Sequence, residues 1–72
     1  MTSYTLSALI ELEEPWYVAL CPELDIASQG KSLEEALTNL REAVQLYLES
    51  ADPSEIHLPT RPPFLTRLEV AV

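Results

Sequence analysis

The 72-residue chain has one glycine, one cysteine, one histidine and four basic side chains. Each scarcity removes a class of function. A single glycine, Gly30, cannot build a glycine-rich loop that cradles phosphates, so no cofactor is expected. A single cysteine, Cys21, cannot form an internal disulfide, and Cys21 with His57 falls short of the four ligands of a structural zinc site. A Cys21–His57 nucleophilic pair would need hydrogen-bond reach and donors for an oxyanion, and nothing in the spacing asks for either. Cys21 reads instead as a small buried apolar residue. No apolar run is long enough to cross a membrane and no signal peptide is visible, which points to the cytoplasm. Four bases against twelve acids give a net charge of −8 and a pI near 4.3. That balance argues against nucleic acid as a direct partner, because phosphate contacts need Lys and Arg. Residues 11–55 hold eleven of the acids, with only Lys31 and Arg41 among them. Such a surface suits a basic partner, or serves solubility alone.

What is present is organised around one helix. Ser28-Gln29-Gly30-Lys31-Ser32 reads as a turn and a cap. Ser32 is an N-cap whose hydroxyl can accept from an orphan amide of the first turn, and Glu35 completes a capping box by reaching back to the Ser32 amide. Gly30 sits where a chain leaving a strand often needs positive φ. Leu33, Ala36, Leu37, Leu40, Ala43, Val44, Tyr47 and Leu48 then follow the spacing of a helix with one buried face. Pro53 ends it near Glu49–Asp52.

The flanks read as strands. Tyr4–Leu12 alternates, with Leu6, Ala8, Ile10 and Leu12 on one face. Glu13-Glu14-Pro15 is a turn, and Trp16–Leu20 is a second strand forming a hairpin with the first. Cys21–Asp25 breaks the pattern, because Pro22 cannot donate to a ladder. Ile26–Gln29 is a short third strand. His57–Pro63, with Pro59, Pro62 and Pro63, is an extended linker into a final strand, Phe64–Val72, in which Phe64, Leu68, Val70 and Val72 share one parity.

The expected order is therefore β-β-β-α-β in one domain over residues 1–72, an α+β sheet with a helix on one face. The other face has nothing in the chain to cover it, which argues for a partner or a second copy. A chain of this size buries only about 60% of its unfolded surface, so a homodimer or tetramer is the expected support. Adjacent Trp16 and Tyr17 point to opposite sides of a strand, so one is core and the other a candidate interface anchor. Glu13, Glu14, Glu23 and Asp25 are candidate contacts for a basic partner. A rival use of acids, a metal-dependent nuclease built on Glu11, Glu13, Glu23 or Asp25, lacks a nearby base to hold a phosphate.

Several stretches together resemble one family. Trp16-Tyr17-Val18-Ala19-Leu20-Cys21-Pro22-Glu23-Leu24, then Ser28-Gln29-Gly30, then Ser32-Leu33-Glu34-Glu35-Ala36-Leu37 and Glu42–Glu49 are similar, in order, to HicB antitoxins. The match spans about residues 4–50. The resemblance implies a partial ribonuclease-H-like domain without a catalytic set. It also implies a HicA-like toxin as partner, a small basic protein that cleaves mRNA and is blocked by the antitoxin. An acidic protein opposing an RNA-binding surface is electrostatically sensible. The resemblance does not extend to the DNA-binding module of full antitoxins, since no second helix follows the first, and operon repression is not expected. Asp25-Ile26-Ala27 also replaces the proline-glycine-cysteine common after the acid-leucine corner. A stand-alone regulatory or structural oligomer with an unrelated partner is the alternative.

Overall fold

Strand pairing begins where prolines permit it. In the computed structural model, which describes residues 4–58 and 63–72, β1 (Leu9–Glu13) and β2 (Trp16–Cys21) form an antiparallel hairpin closed by Glu14-Pro15. The register places Leu9 opposite Leu20 and Glu13 opposite Trp16. Continued backwards, that register sets Ser7 against Pro22, which has no amide to offer. The Ser7 amide is taken instead by the Glu23 carboxylate, at 3.0 and 3.2 Å. The strand expected from Tyr4 therefore starts only at Leu9, and residues 4–8 run on as irregular chain.

β3 (Ile26–Gly30) pairs antiparallel with β2, Cys21 facing Ile26 and Tyr17 facing Gly30, so the sheet order is β1-β2-β3. The connecting turn, Pro22–Asp25, closes with Asp25 at φ 54°, a conformation that aspartate tolerates better than most residues. This is where the backbone turns left-handed, not at Gly30 as expected. Gly30 answers a different need, which is close approach. A Cβ there would lie 2.5 Å from the Ala36 amide nitrogen and 2.9 Å from the Glu35 Cβ.

The helix α1 (Leu33–Ser50) follows at once. The Glu35 amide donates to the Ser32 Oγ at 3.1 Å, as a cap requires. The Glu35 side chain reaches back one residue further than a standard capping box and accepts from the Lys31 amide at 3.1 Å, not from Ser32. At the other end the Ala51 amide donates to the Tyr47 carbonyl, and the Ser50 hydroxyl to that of Leu46. Asp52 then caps a 3-10 turn at Pro53–Glu55, accepting from the Ser54 amide at 3.0 Å. Among the described residues no helix is long and apolar enough to cross a membrane.

The core is small. Ala19, Cys21, Ala36 and Leu40 are fully buried, with Leu6, Ile10, Tyr17, Leu24, Ile26 and Val44 packed around them. Ala8, which alternation groups with Leu6 and Ile10, is exposed, and Tyr47 of the helix stripe is only half-buried. The α+β class is as expected, with three antiparallel strands and one helix. The final strand is not. Residues 63–72 form no strand, because they meet no partner edge in their own chain and every one of them is exposed. Pro59 and Pro62 of the expected linker, and residues 1–3, lie outside the described residues.

Candidate functional site

Alternation along β2 sorts its side chains. Tyr17, Ala19 and Cys21 turn toward α1 and the core, so Trp16, Val18 and Leu20 must occupy the opposite face. The register extends that face across the sheet. Leu9, Leu20 and Ala27 form one row, Glu11, Val18 and Gln29 the next, and Glu13 stands beside Trp16. Among the described residues no helix lies on this face. Leu9 and Trp16 stay open to solvent at 43% and 36% exposure, with Glu11 and Glu13 exposed between and beyond them and Glu14 in the adjoining turn. The result is an aromatic and aliphatic surface rimmed by carboxylates at one end of the sheet.

The opposite end carries Glu23 and Asp25. Glu23 is half-buried and committed to the fold. Burial pushes its carboxyl up, but the hydrogen bonds it accepts from Ser7, its own amide and Cys21 outweigh burial and hold it below the usual range. The Cys21 thiol donates to the Glu23 Oε1 at 3.7 Å, and burial, with the neighbouring carboxylate, pushes that thiol up. A raised, buried thiol is a poor nucleophile. His57 is exposed, beyond the 3-10 turn.

A concavity on the helix side of the sheet was not foreseen from the sequence. An open groove of about 760 Å3 runs between residues 4–8 and α1. Its walls are mostly apolar, with Leu6, Leu37, Leu40, Val44 and Leu48 among them, and Arg41 and Glu49 contribute charge. It exists because α1 packs chiefly over β3 and only lightly over β1. The one trace of it in the sequence is the breadth of the helix stripe, whose Leu37, Val44 and Leu48 line the groove. Among the described residues no three His, Cys, Asp or Glu side chains are grouped to hold a metal ion.

The chain is similar to curated relatives. It is 46% identical over 52 residues to a UPF0150 protein of Helicobacter pylori, a match covering 71% of this chain and 72% of the relative. The chain belongs to the UPF0150 family. A UPF0150 protein of Synechocystis sp. is 45% identical over 49 residues, covering 65% of this chain and 62% of that one. No protein-family model matches, and no solved structure matches.

In this UPF0150 chain the acids singled out from the sequence fall into two sets. Glu13 and Glu14 gather with Trp16 at the β1–β2 turn. Glu23 and Asp25 sit at the β2–β3 turn, roughly 20 Å away along the strands. Tyr17, the other aromatic candidate, belongs to the core side. Glu11, weighed only as a metal ligand, stands on the same face as Trp16.

Proposed function

We propose that this UPF0150 chain is a non-catalytic, acidic protein-binding domain that self-associates and docks on a basic partner, acting as a HicB-like antitoxin on a HicA-type mRNA-cleaving toxin. The observation that carries the reading is the grouping of Glu11, Glu13 and Glu14 around exposed Trp16 on the sheet face without a helix. A solvent-facing Trp beside apolar neighbours is the usual centre of a binding hot spot. The acidic rim complements a surface built for phosphates and steers association. The order β-β-β-α is compatible with a partial ribonuclease-H-like domain, the finer fold class that goes with this reading. The site of action is the cytoplasm, where such a toxin meets mRNA.

The test is gel filtration with light scattering on a mixture with a HicA-type toxin, followed by an RNA-cleavage assay. A larger complex and loss of cleavage are expected. Trp16→Ala should weaken the complex at least tenfold, in line with about 2 kcal/mol for a hot-spot aromatic. Replacing Glu11, Glu13 and Glu14 by Gln should slow association and flatten its salt dependence. A toxin that neither binds nor loses activity would remove the antitoxin role.

A further inference from the structure

We propose that residues 63–72 form a strand that pairs with the free edge of β1 in a second copy of this chain, its alternate side chains entering that copy's groove. The proposal deepens the self-association part of the proposed function and rests on it.

Four observations converge. The first is the arm itself. Phe64, Leu68, Val70 and Val72 share a parity, as on one face of a strand, and all four are exposed among the described residues. Phe64 is 96% exposed and Leu68 87%. The radius of gyration is 14.0 Å, against about 11 Å for a compact chain of this length, so the arm projects instead of folding back. Contiguous apolar surface of this kind marks a contact.

The second is the edge. Both β1 and β3 are edge strands, but β3 is partly occupied. Asn39 Nδ2 donates to the Gln29 carbonyl at 2.8 Å, and Gly30 is pressed beneath Glu35 and Ala36. β1 shows no such cover among the described residues, and an open edge is a template for pairing with another chain. The third is the groove, which opens just beyond the Leu9 end of that edge, between residues 4–8 and α1, with Leu6, Leu37, Leu40, Val44 and Leu48 on its walls. A strand added along β1 would turn every second side chain toward α1, so one parity of the arm meets an apolar surface.

The fourth is charge. Residues 1–55 hold eleven acids against Lys31 and Arg41, whereas residues 56–72 hold one acid, Glu69, against Arg61 and Arg67. Two acidic bodies repel, but residues 63–72 themselves carry only Arg67 and Glu69 and are neutral, so the arm meets such a body without that repulsion. Because arm and receptor are on one chain, the exchange is self-complementary and closes as a twofold dimer.

The experiment is light scattering after gel filtration over a hundredfold range of concentration, on the full chain and two variants. Leu68→Asp with Val70→Asp disrupts the inward parity; Ala71→Asp alters only the outward one. Circular dichroism checks that both fold, which is expected because the arm touches no core residue. A dimeric wild type, dissociation at least tenfold easier in the double variant and an unchanged Ala71→Asp are expected. A dimer indifferent to the double variant would overturn arm exchange while leaving self-association standing, by way of another surface. A wild type monomeric throughout would overturn both.

Discussion

At the scale of single residues, Gly30 and Glu23 hold the two joints of the sheet. Gly30 lets the start of α1 lie directly on the end of β3. Gly30→Ala must displace the Ala36 amide, which a methyl group would approach to 2.5 Å. A loss of roughly 1–3 kcal/mol is expected, as for other overpacked sites, measurable by urea denaturation. Glu23 substitutes for the ladder that Pro22 cannot extend. Its folded pKa is depressed, despite burial, by the donors around it. Its contribution is therefore complete above the ordinary glutamate value of about 4.3 and lost as the pH falls through the lower folded value. Glu23→Gln keeps an acceptor for the Ser7 amide but removes the titration. The variant's melting temperature should fall less steeply with acid below about pH 4.3, converging on the wild type once the native carboxyl is protonated. Identical acid profiles would show that the Ser7 bond contributes nothing through charge.

At the scale of elements, α1 presents one face to the sheet and one to water, and the two sides answer differently to truncation. Leu40 is 3% exposed and Leu46 68%. Leu40→Ala should cost about 2–5 kcal/mol, enough to unfold much of a domain this small, whereas Leu46→Ala should stay within about 0.5 kcal/mol. Thermal melts of both variants check the contrast. The helix was legible in the sequence because its determinants are local. Ser32 caps it, the apolar residues recur at its own period, and Pro53 stops it. The strands were less so. Alternation over Tyr4–Leu12 and Phe64–Val72 states which residues share a face, but not whether an edge is available to pair with. The first fell short because Pro22 lies opposite Ser7, and the second because its chain offers it no partner. The same limit applied to Trp16 and Tyr17. Parity separates them, but only the position of α1 says which of the two is outside. The groove escaped notice because it is a consequence of where α1 lies across the sheet.

At the scale of the whole molecule, the buried apolar side chains among the described residues are Ala19, Cys21, Ala36 and Leu40, three of them small. A core of that size leaves little net stability to an isolated copy. Association stabilises the folded state by mass action, so a hundredfold rise in protein concentration should raise the melting temperature by roughly 5–10 °C. A melting temperature independent of concentration would show that one copy folds unaided. Cys21 gives this balance a second readout. It is the only thiol in the chain, it is 1% exposed, and it lies along the groove wall. A buried, protonated thiol reacts with an alkylating reagent only in the fraction of time that the surrounding structure opens. The rate of a single covalent labelling event therefore converts the opening equilibrium of the helix–sheet contact into a clock.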